Sequence, residues 1–235
     1  MQTSGGGKAM VRAVIFDLDG TLYDYDAAHA RAFAALTDYG CAILGLSPKD
    51  FSQLHDEADR LLRRRAGNLA AIHNRLIRYQ LMLELSGMPI FHAPALERLY
   101  WDTLILWMKP NPGLYEAFDW IKSRGLTLGV ATNMTADWQY AKLDRLGVLH
   151  RVDFIVTSEE CSAEKPDRRL FELCAEKAKC QPVDCVFVGD SLKGDAFGAR
   201  AAGMRPVWLH AGEGVDDIPA IPSLAALPEL LTKGC

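Results

Sequence analysis

Val11-Arg12-Ala13-Val14-Ile15-Phe16-Asp17-Leu18-Asp19-Gly20-Thr21 is the stretch that decides the fold. Its first six residues form a short, β-branched, apolar run that stops abruptly at an aspartate. Such a run reads as a strand buried on both faces, the kind found in parallel sheets. Beyond it, Asp17 and Asp19 stand two residues apart, so along an extended chain they point to the same side. Gly20 then permits a sharp turn out of the strand.

Similar apolar runs recur at Leu126–Ala131, Phe154–Val156, Cys185–Val188 and Pro206–Leu209. Helical patterns alternate with them over Pro112–Arg124, Thr135–Leu146, Arg168–Ala178 and Asp195–Ala202. Alternation of this type predicts an α/β fold, a doubly wound parallel sheet of Rossmann-like organisation. One interval departs from it. Between Tyr25 and Met108 no strand is evident, and Leu69, Ile72, Leu76, Tyr79 and Leu83 follow the stripe of an amphipathic helix. The chain therefore divides into a flexible tail over 1–10, a core made of 11–24 and 109–235, and a helical cap over 25–108. A cap inserted there sits above the carboxyl ends of the strands, where open α/β sheets bind ligands.

Composition narrows the class of function. Of the 235 residues 49% are hydrophobic and 24% charged, the balance of an ordinary globular protein with a sizeable core. The net charge of −4 argues against nucleic acid as a partner, since its binders carry a basic face. No apolar run is long enough to span a bilayer, so no membrane partner is expected. The cysteines at 41, 161, 174, 180, 185 and 235 make no CxxC pair and no zinc spacing. Reduced thiols in a cytoplasmic protein, monomer or homodimer, are the expectation.

Four polar clusters fall where the runs end: Asp17-Leu18-Asp19-Gly20-Thr21, Thr132-Asn133, Lys165-Pro166-Asp167, and Gly189-Asp190-Ser191 with Asp195. A lone aspartate after a strand is usually a turn residue or helix cap, and a lone lysine a solvated one. Turn chemistry does not call for two carboxylates at one strand end and two more at another. As a set they provide what phosphoryl transfer needs: a nucleophile, a proton donor and acceptor, and cations against the transferred charge. Asp17 and Asp190 offer the oxygen ligands that Mg²⁺ prefers. Lys165 offsets further charge, and the Thr132 hydroxyl can bond a phosphate oxygen.

DLDGTLYD, ATN, EKPD and GDSLKGDAFGARAAGM, in that order, resemble the four-motif signature of the haloacid dehalogenase-like hydrolases. The likeness covers Val11–Thr21 and Leu126–His210; the insert resembles that superfamily's helical cap in position and type. It implies a Mg²⁺-dependent phosphatase that hydrolyses a small phosphorylated metabolite through a phosphoaspartate. Asp17 would be nucleophile and metal ligand. Asp19 would be general acid/base, with its backbone carbonyl on the metal. Thr132, Asn133 and Lys165 would hold the phosphoryl group, Asp190 would complete the protein's metal ligands, and Asp195 would support them. Gly194 departs from the pattern, because relatives often carry Asn there.

The resemblance leaves other reactions to weigh. A sugar-phosphate phosphotransferase or mutase uses the same paired aspartates, and a non-catalytic phosphate-binding module would show degenerate motifs, which this chain does not. The related dehalogenases lack the second aspartate. In the insert, Arg63-Arg64-Arg65 reads as a solvated helix end, whereas His73, Arg75 and Arg78 flank the apolar stripe as candidate cleft residues. Trp101 and Trp107 read as packing residues.

Overall fold

The computed structural model describes residues 10–67 and 69–233, so the tail expected over 1–10 lies, except for Met10, outside the described residues. Strand β1 (Ala13–Phe16) opens the chain, and β2 (Thr127–Thr132), β3 (Phe154–Thr157), β4 (Cys185–Gly189), β5 (Arg205–Leu209) and β6 (Ala220–Ile221) follow. All pair in parallel, in the order β3-β2-β1-β4-β5-β6. The order reverses at β1, the topological switch point where a doubly wound sheet opens a crevice at its carboxyl edge.

The pleat explains why β1 is apolar throughout. Val14 and Phe16 face one side, joining Leu114, Phe118 and Ile121 of α5 (Leu114–Ser123) in one buried cluster. Ala13 and Ile15 face the other, against Leu170, Phe171 and Cys174 of α8 (Arg168–Ala178). Each side chain of the strand is fully buried, so alternation of polar and apolar residues has no place in it. The remaining crossovers are α6 (Ala136–Arg145), the short α7 (Ser158–Cys161) and α9 (Phe197–Ala201), which is preceded by a π-helical turn over Leu192–Ala196.

Between β1 and α5 the chain forms helices α1 (Tyr25–Leu44), α2 (Pro48–Ala66), α3 (Arg75–Ser86) and α4 (Ala93–Trp107). The stripe expected as a single helix is divided. Ala70–His73 makes a 3-10 turn, and Asn74 then caps α3 by accepting from the Ile77 amide at 3.0 Å. Leu69 and Leu76 are consequently exposed, while Ile72, Tyr79 and Leu83 remain buried. Trp101 packs fully, but Trp107 is 43% exposed beneath Arg31. The two passages joining these helices to the sheet are tied together. Asp24 donates its amide to the Lys109 carbonyl, and the Asn111 side chain donates to the carbonyls of Gly20 and Thr21, both at 2.9 Å.

Strand β6 escaped the sequence reading because it is two residues long and lies between Pro219 and Pro222. No helix is long and apolar enough to cross a membrane among the described residues.

The Phe118 ring, fully buried, sits 5.2 Å from that of Phe16. Phe118→Ala is expected to lower the unfolding free energy by about 3–5 kcal/mol, the range for emptying such a site, measured by urea denaturation.

Candidate active site

The polar residues expected at the strand ends meet at the carboxyl edge of the sheet, whereas Arg78 and Trp107 of the insert lie elsewhere. Asp17, Asp19, Thr132, Asn133, Lys165, Asp190 and Asp195 line one cavity of about 270 Å³, joined by Ser191 and Gly194. The register of the three central strands brings this about. Phe16 is level with both Val130 and Val188, so the residues that follow emerge side by side.

Asp17 is 5% exposed, and its amide is fixed on the Val188 carbonyl at 2.9 Å. Lys165 reaches it from the loop between α7 and α8, with Nζ against Asp17 Oδ1 and 2.7 Å from Asp195 Oδ1. Asn133 braces that lysine. Its Oδ1 accepts from the Lys165 amide at 2.8 Å, and its Nδ2 donates to the Lys165 carbonyl at 3.4 Å. Asp195, 1% exposed, has its Oδ2 accepting from the Ser191 amide at 3.0 Å. A Cβ on Gly189 would stand 2.3 Å from that Oδ2, so only glycine fits beside the carboxylate.

Thr21 ties Asp190, at the end of β4, to the turn that follows β1. The Thr21 hydroxyl donates to Asp190 Oδ1 at 3.0 Å and accepts from the Asp190 amide at 3.1 Å. Gly20 has φ +88°, and a Cβ there would meet Asp190 Oδ2 at 2.5 Å, so the turn requires glycine on both counts.

Asp17, Asp190 and Asp195 hold oxygens within 4.8 Å of one another. Burial pushes the Asp17 carboxyl up to about 8, and the neighbouring Asp195 and Asp190 push the same way against Lys165. Partial desolvation in the cleft and the charge of Asp195 likewise raise Asp190, although that residue is itself exposed. One ammonium does not neutralise three carboxylates. The all-oxygen donor set and its excess negative charge fit a hard divalent cation such as Mg²⁺.

Asp19 occupies a different environment. Its carboxylate turns to α6, where Lys142 Nζ lies 2.7 and 2.9 Å from its two oxygens. Tyr23 donates a short hydrogen bond to the same group, and Gln139 Nε2 reaches Oδ2 at 3.2 Å. Burial would raise this carboxyl, but the Lys142 charge and the three donors hold it below its ordinary value. Gln139 also donates to Thr132 Oγ1 at 2.6 Å, which leaves the threonine proton free for a ligand.

The sequence reading missed Gln139 and Lys142, though a signal was present. Gln139, Lys142, Leu143 and Leu146 take the i, i+3, i+4, i+7 positions of the inward face of α6. Two polar side chains in those positions are fully buried, which calls for a buried partner. His73, on the insert, lies 2.8 Å from Glu164, the residue before Lys165.

Strand-end aspartates, a braced lysine and a helical insert above them define a hydrolase of the doubly wound α/β type. A family model described as haloacid dehalogenase-like hydrolase matches residues 11–203, and the chain belongs to that family. It is 33% identical over 210 residues to ribulose-1,5-bisphosphate 5-phosphatase of Halopiger xanaduensis, covering 88% of each chain. It is 32% identical over 217 residues to glyceraldehyde 3-phosphate phosphatase of Methanopyrus kandleri, covering 89% of this chain and 88% of that one. The crystal structure of a 2-haloacid dehalogenase from Pseudomonas syringae pv. tomato superposes with a TM-score of 0.75 at 28% identity, over 95% and 99% of the two chains. The protein is an enzyme, a phosphatase of this family.

Lys142→Met strands the Asp19 charge beside an apolar side chain. The Asp19 side chain is 23% open to the cleft, so the cost at pH 7 is expected at about 2 kcal/mol, below that of a fully buried pair. In the wild type Asp19 is depressed, and its stabilisation is lost only as pH falls through that lowered value. In the variant Asp19 is raised and takes up its proton earlier. The stability gap should therefore narrow as pH falls from 7 toward 4.5, which urea unfolding at the two pH values checks. A gap independent of pH would place the damage elsewhere.

Proposed function

We propose that the enzyme hydrolyses a small phosphomonoester through a phosphoaspartate on Asp17, with Asp19 as general acid/base. The observation that carries this reading is the contrast between the two aspartates of one strand end. Asp17 is gathered with Lys165 and the carboxylates of Asp190 and Asp195, whereas Asp19 is held apart by Lys142, Tyr23 and Gln139.

The Asp17 carboxylate attacks phosphorus in line with the leaving oxygen, and the P–O ester bond breaks. Lys165 and the Thr132 hydroxyl hold the equatorial oxygens of the transferred group. Asp19 gives its proton to the departing oxygen. It holds that proton against Lys142 because an arriving phosphoryl dianion disfavours a second negative charge nearby. In the second half, water attacks the phosphoaspartate and passes a proton to Asp19, releasing inorganic phosphate and restoring the Asp17 carboxylate. Mg²⁺, held by Asp17, Asp190 and the Asp19 backbone carbonyl with Asp195 in support, would neutralise the meeting of carboxylate and phosphate.

The substrate is a short-chain phosphorylated metabolite, consistent with relatives named for ribulose-1,5-bisphosphate and glyceraldehyde 3-phosphate. Its setting would be the cytoplasm, with the enzyme a monomer or homodimer. Asp19 weighs against dehalogenation, which needs no proton delivered to an alkoxide. A mutase would share the first half-reaction and pass the phosphoryl group to a sugar hydroxyl instead of water.

Inorganic phosphate released from phosphorylated metabolites should require Mg²⁺, disappear with chelator and return when the ion is restored. Asp17→Asn should abolish it with the fold retained; substantial residual turnover would move the nucleophile elsewhere. Asp19→Asn should slow alkyl phosphates by about 10²–10⁴ and an activated aryl phosphate far less, while prolonging the phosphoenzyme. Equal losses on both esters would remove Asp19 from the acid/base role.

A further inference from the structure

Four cationic side chains are buried around the cleft, and three have anionic partners. Lys165 is paired with Asp17 and Asp195, Lys142 with Asp19, and Arg78 with Asp59 at 2.6 Å. The fourth is Arg75, the first residue of α3. It is 9% exposed, and among the described residues no carboxylate forms an ion pair with it. Its guanidinium carbon lies 3.8 Å from the centre of the Tyr100 ring and 5.3 Å from that of Trp101. Nη2 reaches Tyr25 Oη at 3.3 Å, and Nε has no acceptor.

Stacking on Tyr100 satisfies the flat face of the guanidinium. The edge carries five N–H donors in a fork that matches a carboxylate or a phosphate, and only phenols meet it: Nη2 donates to Tyr25, the Tyr79 hydroxyl lies beside it, and Nε is unpaired. A charge left in this condition away from water is costly unless something arrives to meet it. Burial is therefore poorly explained by packing alone.

Arg75 opens onto a cavity of about 180 Å³ shared with Asp19, Asn133 and Lys142. Asp19 and Asn133 also line the phosphoryl cavity, so the two spaces adjoin at those residues. A phosphate at Asp17 and an anion at Arg75 would therefore lie in neighbouring spaces on the two sides of Asp19 and Asn133. Water occupies roughly 30 Å³ per molecule in the liquid, so this space has room for a short spacer and one small charged group.

We propose that Arg75 is a specificity-determining residue, receiving a second anionic group, carboxylate or phosphate, at the far end of a short phosphomonoester. The inference rests on the phosphatase reading and deepens it by naming the substrate class. Tyr100 and Trp101 hold the guanidinium plane in place, so that its edge is presented to the incoming anion with little freedom to lose. Lys142 adds positive charge to the same wall while remaining engaged with Asp19.

Two matched pairs of esters test this and separate the two anion sources: 2-phosphoglycolate against ethyl phosphate, and 1,3-propanediol bisphosphate against propyl phosphate. The wild type should favour the charged member of at least one pair in kcat/KM. Preference in the first pair assigns a carboxylate, and preference in the second a phosphate. In Arg75→Met that preference should fall about 100-fold, the scale of removing one partner of a desolvated charge pair, chiefly through KM. Arg75→Lys keeps the charge without the fork and should retain part of the preference. If Arg75→Met does not fold, the partial loss in Arg75→Lys carries the test. Equal rates within both pairs, or an Arg75 variant that slows both members alike, would overturn the inference and leave the phosphatase reading standing. Failure of the wild type to hydrolyse even p-nitrophenyl phosphate with Mg²⁺ would overturn the phosphatase reading, and this inference with it.

Discussion

Lys165 stands between Asp17 and Asp195, and all three side chains are less than one-tenth exposed. Two carboxylates buried side by side repel, and each pays for lost hydration; a lysine buried alone would do the same. Set together they compensate, but only if the lysine is held in one place. Asn133 does this through both polar atoms of the Lys165 backbone, and the Ser191 amide does it for Asp195. Four separate chain segments thus become necessary to one another. The sheet order places them there, because β1 lies between β2 and β4 and its carboxyl end is shared by both. Gly189 lacks a side chain because the Asp195 carboxylate occupies the space.

A second charge centre lies a few residues away and is kept apart from the first. Asp19 leaves the same turn as Asp17 yet meets Lys142 and Gln139 of α6, together with Tyr23 from its own turn. Environment alone separates two chemically identical groups, raising one and lowering the other. Tyr23 ends the first motif's turn and also begins the passage into the helical insert. The acid/base group is therefore coupled by one phenol to the segment on which the insert is hung. Thr21 performs the corresponding task for Asp190, and its hydroxyl serves as both donor and acceptor.

What the sequence displays well is what backbone periodicity and strand-end chemistry control. Val11–Phe16 is readable because both faces of β1 are covered, and Asp17, Asp190 and Lys165 are readable because each follows such a run. On α6 the spacing of Gln139 and Lys142 with Leu143 marks both as inward-facing, but their partner, Asp19, lies more than a hundred residues away, so the local pattern does not name it. The division at Asn74 was hidden for a related reason. Ile72, Leu76 and Tyr79 keep helical spacing across it, and only the capping oxygen on the Ile77 amide marks the break. In the insert, spacing alone does not tell which of His73, Arg75 and Arg78 meets a protein partner. His73 goes to Glu164, Arg78 to Asp59, and Arg75 stacks on Tyr100.

Trp101 of α4 and Trp138 of α6 stack across the boundary between the insert and the sheet, with ring centres 4.6 Å apart and planes within 16°. Two indoles so close and so nearly parallel couple their electronic transitions. The coupling depends steeply on separation and relative orientation, so a small displacement of α4 from α6 alters the circular dichroism and the emission of the pair. The molecule thereby carries an optical gauge of its own cleft, built from native side chains. Any change in the spacing of α4 and α6 would therefore be visible in the near-ultraviolet circular dichroism without attaching a dye.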